Sequence, residues 1–324
     1  MYRRVVEVQQ RLAWMRQQEI WPNGLRYLWT DAYGVVLLVS LYHETGDRAW
    51  LTQAEWVVAE VERVLGRERG IRIGEAPDRD GQYFHYLAMW LFALYRLGQV
   101  LPAYHDRAVD LVHEIHDPFV VTGTGIIWKM REDLSGPYPG YGMGALDAFH
   151  GYVCYRLLDE VALASEIAEL ATLVEASYRD MVITQDLALG MMLWMTHFFA
   201  DEPWAQLQRE RSLATLDRMW IEREGYFCRE PELPQVKFAF TNYGVSVGLQ
   251  AVGAMADRVD RLDRFLASYR SGDEYDTNAI TQVMACSSAF PGGLLTADSL
   301  SPLPAPPSAS PSDAPPPRGK PAPA

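Results

Sequence analysis

The connections between helical segments alternate in length along this chain. Apolar residues recur at helical spacing in about twelve segments. A long, polar, Gly-rich connection leads into a segment that is apolar all round, and a connection of a few residues leads into a segment with one apolar stripe. A helix that is apolar all round is buried, whereas a striped helix lies outside it. The alternation predicts six helical hairpins closed into an all-α (α/α)6 toroid, with the long connections at one end.

The predicted inner helices begin after the long connections, and the outer helices follow the short ones. We expect inner helices at residues 28–42, 82–97, 145–158, 186–199, 237–252 and 276–289, and outer helices at 50–65, 104–116, 161–178, 204–221 and 256–269. Residues 2–18 would close the ring as the sixth outer helix. The long connections carry Trp and Tyr, so we expect them to be ordered, with short strands at residues 125–130 and 225–229 of the rim.

The composition changes sharply near residue 300. Residues 301–324 consist mainly of Pro, Ala and Ser, which predicts a disordered tail that follows a single toroidal domain at residues 1–300. The longest apolar runs are shorter than the roughly 20 residues that span a bilayer, and residues 1–18 do not have the pattern of a signal peptide. We therefore expect no membrane association.

Net charge and cysteine content limit the classes of ligand and the cellular compartment that we expect for this protein. The formal net charge of −13 argues against binding to nucleic acid, because a phosphate backbone requires a basic face. The three cysteines are scattered, which indicates a cytoplasmic protein without a disulfide framework. His113 and His116 are three residues apart, whereas zinc helices use a spacing of four. We expect no metal and no cofactor; the sequence does not determine the oligomeric state.

Carboxylates occur where inner helices begin. Hydrolysis of a glycosidic bond uses two carboxyl groups on opposite sides of a sugar ring. Asp80, Asp147 and Asp186 are the candidate catalytic residues, and Asp31 and Asp78 are candidates for substrate binding. Each of these side chains could instead cap a helix or pair with a nearby cation, as Asp78 and Asp80 could with an adjacent arginine.

Aromatic and histidine side chains accompany these acids. We expect Tyr83, Tyr86, Trp128 and Tyr141 to hold a sugar ring. Further candidates for substrate binding are His85, Lys129, Asn242 and Tyr243. His150 is a catalytic candidate because it shares a helical face with Asp147, which could orient it through a hydrogen bond. A buried histidine satisfied by a neighbouring aspartate would have the same sequence pattern.

Two parts of the sequence resemble known toroids. Trp29-Thr30-Asp31, with residues 41–47 and Trp50, resembles the hairpin unit of the six-hairpin glycosidase superfamily. Residues 81–87, 127–130 and 133–135 resemble an uncharacterised bacterial family within it. That superfamily includes glycoside hydrolases, unsaturated glucuronyl hydrolases and sugar epimerases. The resemblance implies paired acidic residues at the mouth in a hydrolase, or paired histidines in an epimerase.

Three hypotheses follow from these patterns. The first is a glycoside hydrolase that acts on a sugar or oligosaccharide, with an acid/base pair drawn from Asp80, Asp147 and Asp186. The second is a sugar epimerase or isomerase in which His85 and His150 move protons on an open-chain sugar. The third is a non-catalytic toroid that binds carbohydrate or serves as a scaffold.

Overall fold

Residues 2–222, 239–268 and 277–296, which the computed structural model describes, form twelve α-helices and four two-residue strands. The helices are α1 Tyr2–Gln17, α2 Leu28–Thr45, α3 Ala49–Leu65, α4 Phe84–Gly98, α5 Ala103–Phe119, α6 Asp147–Asp159, α7 Ala164–Ser177, α8 Asp186–Phe198, α9 Pro203–Glu222, α10 Ala239–Ala251, α11 Ala256–Ser268 and α12 Ala279–Ala289. The strands are β1 Gln82–Tyr83, β2 Val120–Val121, β3 Gly125–Ile126 and β4 Lys129–Met130.

The helices form two concentric rings. The inner helices α2, α4, α6, α8, α10 and α12 contact one another in that order, and α12 contacts α2 to close the ring. Each outer helix packs against its inner partner: α3 on α2, α5 on α4, α7 on α6, α9 on α8, α11 on α10 and α1 on α12. The predicted (α/α)6 toroid is therefore confirmed.

Burial follows the two apolar patterns. In α4 every residue from Leu87 to Gly98 is buried, as an inner helix requires. In the outer helix α5 the buried side chains Ala108, Leu111, Val112 and Ile115 form a single stripe at helical spacing. Burying one such leucine or isoleucine stabilises the fold by about 1.5–3 kcal/mol.

One pair of inner helices approaches unusually closely. A Cβ atom at Gly190 of α8 would overlap the backbone of Gly244 in α10, and one at Gly248 would overlap the backbone of Gly190. Only glycine allows this contact, because any side chain would force the two backbones apart. These glycines therefore set the spacing of the ring next to the mouth.

The rim departs from the predicted boundaries in two places. Gln82 and Tyr83 were expected in α4 but form β1, which pairs antiparallel with β4, while β2 pairs with β3. The strand predicted at residues 125–130 is thus confirmed as two pieces, β3 and β4. The helix predicted from residue 145 begins at Asp147, because residues 145–146 are a turn.

Some expectations fall outside the described ranges. These are the strand at residues 225–229, the helix starts at residues 237 and 276, and the tail at residues 301–324. Among the helices of the described residues, none combines the length and apolar character needed to cross a membrane.

Candidate active site

A cavity of about 370 Å³ opens at the mouth of the toroid. It lies at the first turns of α2, α4, α6 and α8, beneath the long connection that precedes α6. We call it the central cavity. Its lining residues are Trp29, His85, Trp128, Met143, Gly144, Ala145, Leu146, Asp147, His150, Gln185, Leu187, Ala188, Met191 and Met195.

Asp147 and His85 face each other across two neighbouring inner helices. Nδ1 of His85 lies 3.6 Å from Oδ1 of Asp147, which is within ion-pair distance. The Asp147 side chain is only 4% exposed, and its Oδ1 accepts no hydrogen bond. A buried carboxylate oxygen without a donor is energetically costly, so such a group in a cavity indicates a functional role.

Gly144 makes room for this carboxylate. A Cβ atom at residue 144 would overlap Oδ2 of Asp147. The Gly144 backbone is fixed by its N–H, which donates to the carbonyl of Ile126 at 2.9 Å. The loop before α6 can therefore lie this close to the Asp147 carboxylate only because residue 144 has no side chain.

His150 is the second imidazole of the central cavity. It is buried, its Nε2 has no hydrogen-bond partner, and its ring meets Trp194 edge-on at 5.8 Å. Burial, together with the positive charge that His85 can carry, lowers the pKa of His150 to about 3, so this imidazole is neutral at pH 7. The spacing of Asp147 and His150 allows a hydrogen bond between them, but this bond is not formed, because the carboxylate is directed towards His85 on the adjacent helix.

A stack of aromatic rings leads into the central cavity. Trp128 stacks on Tyr83 at 5.6 Å between ring centroids, and Tyr83 stacks on His85 at 5.3 Å. Tyr141 meets Trp128 edge-on at 5.4 Å. The pairing of β1 with β4 aligns Tyr83 with Lys129 and so sets the stack beside His85. Trp128 is 39% exposed, which leaves an aromatic face available to a sugar ring.

Asp80 lies outside the central cavity and pairs with Lys129. Nζ of Lys129 is 3.1 Å from Oδ1 of Asp80 and 3.9 Å from the ring centroid of Tyr138. The Tyr138 hydroxyl donates to Asp80, and this bond, followed by Lys129, lowers the pKa of Asp80. This cluster joins β4 to the connection before α4 and keeps the Asp80 carboxyl ionised.

Asp186 connects α8 to α10. Its Oδ2 accepts hydrogen bonds from Oγ1 of Thr241 at 2.7 Å and Nδ2 of Asn242 at 2.8 Å. Neither Asp186 nor Asn242 lines the central cavity. Tyr243 is also elsewhere, in a cavity that Arg11 and other residues of α1, α11 and α12 enclose.

The remaining carboxylates of the mouth have partners of their own. Asp31 is 1% exposed and accepts hydrogen bonds at 2.9 Å from Nη1 of Arg26 and Nε1 of Trp21. Burial raises the pKa of Asp31 to about 6 although Arg26 and Trp21 oppose the shift. Asp78 is exposed and lies 3.6 Å from Nε of Arg79.

Tyr86 closes one side of the mouth. Its hydroxyl is hydrogen-bonded to that of Tyr27, and its ring packs against Trp29 at 5.3 Å and His85 at 4.6 Å. Burial raises the pKa of Tyr86 well above its ordinary value, so the phenol is neutral.

The structure brings four of the predicted residues, His85, Trp128, Asp147 and His150, into one cavity, together with lining residues that were not predicted. Trp29 could have been found, because it is the second residue of α2 as His85 is the second residue of α4. Nothing in the sequence distinguishes Gly144 from its neighbouring glycines, since its role depends on the position of a side chain three residues later.

No metal centre is evident in the part of the chain that the structure describes, where no three His, Cys, Asp or Glu side chains lie close enough to bind an ion. His113 and His116 instead pair with Glu166 and Glu169 of α7, at 3.3 and 3.2 Å.

No protein-family model and no curated protein matches the sequence. Solved structures match the fold. The α-1,6-mannanase GH76A of Salegentibacter sp. HEL1_6 superposes with a TM-score of 0.59 at 13% identity, over 90% of this chain and 99% of that one. An inactive variant of it in complex with α-1,6-mannotriose gives a TM-score of 0.57 at 14% identity, over the same shares.

An epimerase shares the architecture as well. Cellobiose 2-epimerase from Bacillus thermoamylovorans B4167 superposes with a TM-score of 0.56 at 11% identity, over 83% of this chain and 88% of that one. Identities this low bear on the fold alone. With its closed inner ring and six outer helices, this chain has the six-hairpin glycosidase-like (α/α)6 toroid fold.

Proposed function

We propose that this protein is a carbohydrate-active enzyme that epimerises or isomerises a sugar by proton transfer through His85. The observation that carries the proposal is the meeting of His85, Asp147 and His150 in one cavity at the mouth of the toroid. The likeness of the fold to a cellobiose 2-epimerase supports the choice of substrate class.

His85 is the base in this proposal. It removes the proton from the carbon next to the carbonyl group of an open-chain sugar, and the C–H electron pair moves into an enediolate. Asp147, 3.6 Å from Nδ1, stabilises the imidazolium that forms and fixes the orientation of the ring. Return of the proton from His85 to the former carbonyl carbon, while the C2 hydroxyl proton passes to the former carbonyl oxygen, gives the ketose. Rotation of the enediolate about its C2–C3 bond turns the other face of C2 towards the His85 imidazolium, and return of the proton there gives the epimer.

His150 has a different role because its pKa is about 3. A neutral imidazole can donate an N–H hydrogen bond to the carbonyl oxygen, where negative charge develops in the enediolate. Its Nε2 has no partner in the described chain, so this donor or acceptor is available to a ligand. Trp128 and Trp29 enclose the sugar and exclude water.

A glycoside hydrolase is the second candidate, favoured by the likeness to the mannanase fold. Of the three candidate acids only Asp147 lines the central cavity, while Asp80 and Asp186 have hydrogen-bonded partners outside it. The mannanase with mannotriose was made inactive by replacing two consecutive aspartates, and this sequence contains no two consecutive aspartates. The carboxylate pair that hydrolysis requires is therefore less well supported than the histidine pair.

The test is exchange of a carbon-bound proton in D₂O. Cellobiose, glucose and mannose are incubated with the protein, and ¹H and ¹³C NMR follow deuterium at C2 together with the appearance of epimers or ketoses. We expect deuterium at C2 with the wild type, and loss of exchange by about 100-fold or more in His85→Gln. His113→Gln, on the outer helix α5, is the matched control and should exchange at the wild-type rate.

The other two hypotheses predict different results in the same incubations. Release of glucose from cellobiose without exchange at C2 would establish a hydrolase. Saturable saccharide binding without any product would establish a binding protein. Either result would overturn the proposed proton transfer.

A further inference from the structure

A second cavity of about 530 Å³ lies at the same mouth. We call it the recess. It is enclosed by the connection between α1 and α2, the connection between α3 and α4, and the first residues of α10 and α12. The central cavity touches α2, α4, α6 and α8, so together the two cavities extend around the whole inner ring. Both volumes are in the range of about 300 to 1,000 Å³ that is typical of small-molecule sites.

A thin aromatic wall separates the recess from the catalytic histidine. Tyr27 lines the recess, and its ring meets Tyr86 at 5.5 Å, which in turn meets His85 at 4.6 Å. Along α2 the consecutive residues Trp29 and Thr30 line the central cavity and the recess respectively. The recess therefore lies one layer of aromatic rings away from His85.

The lining of the recess suits a neutral, hydroxyl-rich unit. Tyr27 and Phe240 provide aromatic surface, and Thr30 and Asn278 provide polar groups. The positive charges are already compensated, since Arg26 pairs with buried Asp31 and Arg79 lies 3.6 Å from Asp78. An anionic unit would thus find no uncompensated cation among these groups.

Thr30 provides an independent indication of a ligand. Thr30 is 2% exposed, and its Oγ1 has no hydrogen-bond partner. The hydroxyl of a helical threonine commonly donates a hydrogen bond to a backbone carbonyl of the preceding turn. A buried hydroxyl without a partner destabilises the fold. A sugar hydroxyl in the recess would supply that partner.

We infer that the recess binds the second unit of a saccharide whose reacting unit occupies the central cavity. The substrate class is then a neutral oligosaccharide of at least two units, rather than a free monosaccharide. This inference rests on the proposed function, because it assigns the central cavity to the reacting unit.

Binding measurements test the inference independently of turnover. Calorimetric titrations of the full chain give Kd for cellobiose against glucose, and for α-1,6-mannotriose against mannose. We expect at least one oligosaccharide to bind tenfold or more tightly than its monosaccharide. Thr30→Val keeps the shape of the side chain and should reduce that preference about three- to tenfold. Arg79→Ala removes a side chain whose guanidinium lies 5.0 Å over the Tyr27 ring and should also reduce it.

A matched control and a second readout keep the two proposals separate. Thr281→Val removes another buried hydroxyl without a partner, from a residue that lines neither cavity, and should leave the preference unchanged. Equal affinity for oligosaccharide and monosaccharide, or a preference that Thr30→Val and Arg79→Ala leave intact, would overturn the inference. If the preference holds but no proton exchanges at C2, the recess stands and the proposed proton transfer fails.

Discussion

The Asp147 carboxylate faces His85 across the gap between α6 and α4, at 3.6 Å from Oδ1 to Nδ1, and not His150 one turn further along its own helix. The two histidines of the central cavity therefore differ chemically. His85 lies beside the Asp147 carboxyl group, whereas His150 is buried with a pKa of about 3 and remains neutral. In the proposed function, His85 accordingly transfers the proton and His150 donates a hydrogen bond.

Asp147→Asn keeps the size of the side chain and removes its charge. We expect kcat for exchange at C2 to fall about 100-fold, because the imidazolium of His85 loses its partner in the transition state. The Kd for saccharide should change less than threefold. The check is exchange kinetics beside calorimetry, with the exposed Asp106→Asn as control. An equal rise in Kd and KM with kcat unaltered would mean that Asp147 only binds the sugar.

Gly144→Ala should reproduce that loss without touching an acidic or basic residue. The added methyl group would overlap Oδ2 of Asp147 and displace the carboxylate from His85. Gly142→Ala is the matched control in the same loop, since a Cβ atom there meets nothing within 4 Å. We expect exchange to fall at least tenfold in the first variant and to persist in the second. A fully active Gly144→Ala would show that the carboxylate position is unimportant.

His150 makes stability depend on pH. Its folded pKa, about 3, lies below the ordinary value of 6.5, so between these values the unfolded chain binds one more proton. The free energy of unfolding should therefore fall by about 1.4 kcal/mol per unit as the pH decreases from 6.5. His150→Gln should flatten this acid limb in urea titrations from pH 7 to pH 4. His113→Gln, half-exposed, should leave the slope as it is, and a wild-type slope in His150→Gln would contradict the burial argument.

Arg26→Met should be strongly destabilising, because it leaves the buried carboxylate of Asp31 without its cation. Removing one partner of a buried ion pair costs about 3–5 kcal/mol. The folded pKa of Asp31 is already raised from 3.8 to about 6, so its contribution to stability is lost as the pH rises through this window. The deficit of Arg26→Met should thus be larger at pH 7 than at pH 5 in urea unfolding. Adding Asp31→Asn should recover part of it; a deficit independent of pH would refute this explanation.

The sequence alone was sufficient to predict the ring of helices, but it predicted only part of the candidate active site. Apolar periodicity and connection length depend on local sequence, so every predicted helix within the described residues is present, and the Asp147 and His150 positions on α6 follow from their spacing. The partner of Asp147 could not be predicted, because it depends on how α4 packs beside α6. For the same reason the sequence could not distinguish Asp80 and Asp186 from Asp147 as catalytic candidates. In the fold, Lys129 donates a hydrogen bond to Asp80 and Asn242 donates one to Asp186.

If a saccharide binds against His85 and His150, the imidazole resonances of these two residues should shift, and histidine NMR detects that shift. The chain has seven histidines, and ¹⁵N–¹H spectra of their imidazoles can be assigned by single His→Gln variants. Titration with cellobiose and with α-1,6-mannotriose should shift the resonances of His85 and His150, while those of His105, His113 and His116 on α5 stay in place. Saccharide binding that leaves the His85 and His150 resonances unmoved would show that the sugar does not bind in the central cavity.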